Sequence, residues 1–211
     1  TIPGMKGIGR VAALAAGDLN GDERTDIVVG EFGWQSSGGL HVLEHGGTPL
    51  TFKKTTLSTD AGLVDLAIAD MNADGRADIV TAVSQHHERI DLWLNTAAGF
   101  KQRTLFRAST PLWGMLGLQL VDLDGDGRRD VIYWNGDTLD APKLAGFQGV
   151  HWLKNTPKGF VSRQILELPG VHDVVTTDLN RDGAIDLVAV ANLPSRIQET
   201  LVSEGAAPPE G

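Results

Sequence analysis

A nine-residue acidic segment occurs four times in this chain, and no other feature limits the possible fold as strongly. DLNGDERTD begins at Asp18, DMNADGRAD at Asp70, DLDGDGRRD at Asp122 and DLNRDGAID at Asp178, at intervals of 52, 52 and 56 residues. Self-similarity at a fixed period of this size is the signature of a repeat architecture. Each segment runs directly into a β-branched stretch, for example Ile27-Val28-Val29 or Val131-Ile132-Tyr133, and follows another apolar stretch such as Leu63 to Ala69. A second element also recurs: LHVLEH from Leu40, IDLWLN from Ile90 and VHWLKN from Val150. A Gly- or Pro-containing turn and a short segment with an aromatic residue follow each of these. One repeat therefore reads strand, acidic loop, strand, loop, strand, turn, strand. No stretch sustains the apolar i, i+3, i+4 pattern of a long helix. Four strands in about 50 residues predict an all-β chain whose repeats are blades of a β-propeller.

The repeats are expected near residues 11–60, 61–108, 109–168 and 169–204, with 205–211 as a linker or frayed tail. The fourth is incomplete, because no tryptophan-bearing strand follows Val190. Four blades with an unfinished last one leave strand edges open, and open edges invite pairing. The expectation is therefore a part of a larger propeller, completed by further blades or by another subunit.

The acidic segments carry the chemistry. Oxygen side chains fall at positions 1, 3, 5 and 9: Asp18, Asn20, Asp22 and Asp26; Asp70, Asn72, Asp74 and Asp78; Asp122, Asp124, Asp126 and Asp130; Asp178, Asn180, Asp182 and Asp186. A tight loop turns alternate side chains inward, so this spacing converges four oxygens on one point. The backbone carbonyl at position 7, from Arg24, Arg76, Arg128 or Ala184, can add a fifth. Such hard oxygen sets suit Ca²⁺, which takes 6–8 oxygens at about 2.3–2.6 Å, better than Zn²⁺, which seeks His and Cys. Up to four Ca²⁺ are expected. These are not EF-hands, since position 12 is Val29, Thr81, Tyr133 or Ala189 and no bidentate Glu stands there. Turn formation alone could explain one Asp-rich loop, but not four that crowd carboxylates at the same spacing against Coulomb repulsion. The first loop departs in having Glu23 where the others have Gly at position 6.

Charge follows from the same loops. Of the 27 acidic residues, 13 are aspartates at these ligand positions, and four Ca²⁺ would take the formal charge from −9 to −1. An acidic domain of this kind is a poor nucleic-acid binder. No apolar run reaches the roughly 18–20 residues of a membrane-spanning helix, so membrane insertion is not expected. With no cysteine, disulfides, Cys-based zinc sites and Cys nucleophiles are excluded. No G-x-S-x-G, phosphate-binding loop or H-E-x-x-H occurs, and the chain is expected not to be an enzyme.

The loops with their following Ile/Val strands resemble the FG-GAP or VCBS repeat, the calcium-binding blade of integrin-α-like propellers, from Val11 to about Ala191. Glu31-Phe32-Gly33-Trp34, Trp134-Asn135-Gly136-Asp137 and Pro169-Gly170-Val171-His172 resemble exported bacterial members of that family. The resemblance implies an extracellular or periplasmic location and about seven blades in a complete ring.

If the acidic loop joins the first two strands of each blade, the other loops meet on the opposite face. Arg10, Glu31, Trp34, Gln35, His86, His87, Glu88, Trp113, Asn135, Asp137 and His172 would gather there and could bind a protein partner or a glycan. Trp93 and Trp152 lie within strands and are expected in the core; adjacent His86 and His87 make a poor chelate and are expected in a solvated loop. Three functions follow: a calcium-stabilised binding or interaction module, favoured; a carbohydrate-binding, lectin-like propeller; or the scaffold of a larger redox or hydrolytic protein.

Overall fold

A computed structural model describes residues 6–34, 37–137 and 144–193. The segment Ile197 to Val202 and the expected tail at 205–211 lie outside the described residues. All regular structure among the described residues is β. The first antiparallel sheet contains β1 (Val11–Gly17), β2 (Asp26–Trp34), β3 (Ser37–His45) and β4 (Phe52–Ser58), in chain order. The second contains β5 (Leu63–Ala69), β6 (Asp78–Val83), β7 (Arg89–Thr96) and β8 (Gly99–Arg107), and the third β9 (Met115–Val121), β10 (Asp130–Asn135), β11 (Gly149–Thr156) and β12 (Gly159–Glu167). A two-stranded sheet of β13 (Val171–Thr177) and β14 (Asp186–Ala191) follows.

These sheets are tandem propeller blades. Each acidic segment joins the first and second strands of its blade, as the sequence pattern requires. The first strands converge: β5 packs against both β1 and β9, and β9 against β13. The blades do not close into a ring among the described residues.

The core lies between blades. Val28, Leu40 and Val42 of the first blade meet Leu63, Leu66 and Trp93 of the second. Val80, Ile90 and Leu92 of the second meet Met115, Leu118 and Tyr133 of the third. Ile132, Trp134 and Trp152 of the third meet Val171 and Val174 of the fourth. Strands β6 (DIVTAV) and β10 (DVIYWN) are buried at every residue, because a sheet sandwiched between two others hides both faces. The near absence of polar alternation within them follows from that. Close contact also selects small residues: a Cβ at Gly30 would stand 2.1 Å from Leu63 Cδ2 of the next blade.

A repeated polar clamp locks neighbouring blades. Asn95, at the end of β7, donates its amide to the Leu19 carbonyl of the preceding blade and to the Ala77 carbonyl of its own. Asn155, at the end of β11, does the same to Met71 and Arg129.

Candidate metal centres

The four acidic loops share one hydrogen-bonded frame. The position-1 carboxylate caps the turn by accepting the N–H groups of positions 5 and 6: Asp18 from Asp22 and Glu23, Asp70 from Asp74 and Gly75, Asp122 from Asp126 and Gly127, and Asp178 from Asp182 and Gly183, at 2.7–3.3 Å. The position-5 carboxylates of Asp22, Asp74, Asp126 and Asp182 accept the N–H of position 7, at 2.8–3.0 Å. In three loops the position-3 amide oxygen of Asn20, Asn72 or Asn180 accepts the N–H of position 5. The turn drives positions 4 and 6 to positive φ. Gly125 and Gly127 fill both in the third loop, whereas Ala73, Arg181 and Glu23 occupy one each in the others. A side chain in that region costs about 1–2 kcal/mol, so the third loop is the least strained.

Position 9 does more than close the loop. Asp26, Asp78 and Asp130 are fully buried. One oxygen of each accepts the N–H of position 2, from Leu19, Met71 or Leu123. The other accepts the backbone N–H of His45, Asn95 or Asn155 at the end of the third strand. This aspartate therefore latches the loop to the blade. Asp186 is half-buried and keeps the first of these bonds, from Leu179 at 2.9 Å. Burial raises the Asp78 and Asp130 carboxyls, against the backbone N–H bonds that lower them; neighbouring aspartates raise them further.

The third loop gathers a carboxylate trio. Oxygens of Asp122, Asp124 and Asp130 lie within 4.8 Å of one another, the one such group among the described residues. The donor set is all hard oxygen and could hold a metal ion. Lys154 Nζ sits against Asp124 and 3.6 Å from Asp126; its hydrogen bond and charge hold the Asp124 carboxyl below its usual range. The guanidinium groups of Arg24, Arg76 and Arg128 pair with Asp22, Asp74 and Asp126. Arg76 and Arg128 also donate to the Asn95 and Asn155 carbonyls. At position 7 the side chain thus braces the loop while the carbonyl stays available as a ligand. Ala184 has no such brace.

The opposite face departs from expectation. Trp113 does not present an open ring: it packs on the core between the second and third blades, stacked on Phe147 at 5.0 Å and against Phe106 and His151. Glu31, Glu88 and Asn135 are buried and spend their polar atoms on backbone groups. Glu31 accepts the Gly9 N–H, Glu88 the Met115 N–H, and Asn135 the Gly149 N–H while donating to the Trp113 and Phe147 carbonyls. Glu88 thereby joins the second blade to the third, whereas Glu31 and Asn135 hold loops of their own blades. Burial pushes Glu88 up to about 7. Arg10, His86 and His172 are exposed, and His87 and Asp137 are half-buried. The Trp34 side chain and Gln35 lie outside the described residues. Trp93 and Trp152 are core, as expected.

Comparison with known proteins agrees with this geometry. The family model of the FG-GAP-like repeat matches residues 18–81 and 70–133. No curated protein sequence matches the chain. Among solved structures, the V. cholerae biofilm matrix protein Bap1 is similar in fold, with TM-score 0.50 and 19% identity over 85% of this chain. The chain spans 28% of that structure's length. Since the matched repeats run from residue 18 to residue 133, more than half of the 211 residues, the chain belongs to the FG-GAP-like repeat family.

Proposed function

We propose that this chain is a calcium-stabilised interaction module of an exported protein, acting outside the cytoplasm by binding rather than catalysis. The observation that carries the reading is the fourfold loop frame, with a trio of carboxylates gathered in the third loop. Bound Ca²⁺ would be held by the oxygens at positions 1, 3, 5 and 9 and the carbonyl at position 7. It would neutralise charges that otherwise repel. The likeness to a biofilm matrix protein supports an extracellular matrix or adhesion setting. The non-catalytic reading is supported by Glu31, Glu88 and Asn135, which are buried and hydrogen-bonded to backbone N–H groups.

The end faces support a larger assembly. Leu14 is 63% exposed on the first blade, while its counterparts Leu66 and Leu118 are 5% and 4% exposed against a preceding blade. Val188 is 41% exposed on the last blade, while Val28, Val80 and Ile132 are fully buried against a following one. Faces built for burial on both sides are expected to be covered by further blades of the same kind or another subunit.

A ligand that binds only the folded state adds RT ln(1 + [L]/Kd), about 2.7 kcal/mol per site at 100 Kd. Chelation with EGTA is therefore expected to lower the melting temperature, and Ca²⁺ to restore it better than Mg²⁺. A melting temperature indifferent to chelation overturns the calcium reading.

A further inference from the structure

Two clefts open between blades beside the acidic loops, at the same register of the repeat. One lies between the first and second blades, with a volume of about 510 Å³, and one between the second and third, of about 450 Å³. Their frames match, but their charge does not. Where the second cleft has Arg103 on β8 and Arg129 at position 8 of the third loop, the first has Thr55 and Ala77. Lys158, in the turn bordering the second cleft, corresponds to Ala98. Leu94 of the second replaces Glu44, which is paired with Lys53 at the first. The first cleft forms without these cations, so the fold does not require them. All three are exposed, and none joins the ion pairs of the described residues, in a chain of formal charge −9.

We propose that the cleft between the second and third blades binds an acidic oligosaccharide, a chain of carboxylate-bearing sugars. This deepens the interaction-module reading and does not depend on calcium in the loops. The guanidinium groups of Arg103 and Arg129 offer forked donors on two walls, the geometry that planar carboxylates accept. Leu92, Leu94 and the Phe160 ring line an apolar surface suited to the C–H face of a sugar ring. A uronic acid unit carries both complements. A neutral glycan would leave the cations unused, and a densely charged polyanion such as nucleic acid would meet the repulsion of a chain of formal charge −9.

The test is calorimetric titration of the 211-residue chain with a tetramer of galacturonic acid at low ionic strength and fixed Ca²⁺. Blank titrations into the same buffer remove the heat of calcium binding by the sugar. Neutral cellotetraose and a hexaglutamate peptide serve as comparison ligands. The uronate should bind and the neutral tetramer should not. Arg103→Ala and Arg129→Ala should each weaken binding about tenfold or more, the loss expected for one charged hydrogen-bonding group. Lys53→Ala, away from the cleft, should leave it unchanged. Because Arg103 is exposed and lies outside the acidic loops, Arg103→Ala should keep the wild-type melting temperature and its response to EGTA; failure of the calcium reading is thus seen separately. No uronate binding at millimolar concentration, equal affinity in the arginine variants, or tighter binding of hexaglutamate would overturn the proposal.

Discussion

Replacing Glu88 by Gln should stabilise the protein at pH 8 and leave it almost unchanged at pH 5. Glu88 lies between β6 and β7, buried at the junction of the second and third blades. Its carboxyl accepts the Met115 N–H at 2.9 Å and the Ser84 hydroxyl at 3.2 Å. Burial outweighs these bonds and raises its pKa from 4.5 to about 7. Below pH 4.5 the group is protonated in both states. Between 4.5 and 7 the unfolded chain loses the proton while the folded chain keeps it, so stability falls as pH rises through this window. At about 1.4 kcal/mol per unit, the cost is on the order of 3 kcal/mol once the pH exceeds 7. Gln carries no such charge. Its oxygen can still accept the Met115 N–H, and its amide can donate to the Ser84 hydroxyl. Urea unfolding of both proteins at pH 5 and pH 8 gives the double difference, in which other titrating groups cancel. A gain at pH 8 no larger than that at pH 5 would refute the burial argument.

The buried His151 should give the opposite slope: desolvation lowers it from 6.5 to about 4, so it contributes stability above pH 6.5 that is lost as the pH falls towards 4. The loss is about 3 kcal/mol, to be read as the difference in urea stability between wild type and His151→Gln across that range. Asn155→Ala should cost about 2–4 kcal/mol, since it leaves the Met71 and Arg129 carbonyls without the amide that joins the blades. A change below about 0.5 kcal/mol in chemical denaturation would contradict the clamp. Magnesium at the concentration where calcium restores the EGTA-treated protein should restore it less, because its shell demands shorter bonds and a stricter octahedron.

What could be read from the sequence was local. The nine-residue loops carry their turn and their oxygen spacing in one short segment, and the strands beside them alternate or run apolar according to their cover. The roles that depend on distant partners were hidden. Nothing near Asp26 says that its second oxygen holds the His45 N–H, 19 residues away. Asn95 and Asn155 end the recurring third-strand segments, but their targets lie 76 and 84 residues back, in the preceding blade. Trp113 and Glu88 looked available for ligands because loops are usually solvated, yet the wedge between two blades buries both kinds of group. Their signal was indirect: Val131 to Trp134 of β10 form an unbroken apolar run, so neighbouring layers had to cover it on both sides. The cations of the second cleft stand far apart in sequence, and their contrast with Thr55, Ala77 and Ala98 emerges only once the blades are superposed by register.

The central claim is that the four loops are calcium sites, and counting bound ions tests it most directly. Equilibrium dialysis of the metal-free chain against increasing Ca²⁺, with calcium assayed on both sides, gives the number bound per chain. The expected result is four. The loop from Asp122 to Asp130 should fill first, because it has four carboxylates and glycine at both positive-φ positions. The loop from Asp18 to Asp26 should be weaker, since Glu23 is strained there at φ 63°. Asp124→Ala should then remove the tightest ion and leave the others. Binding that stays below one ion per chain at millimolar Ca²⁺, or a tightest site that survives Asp124→Ala unchanged, would contradict the account.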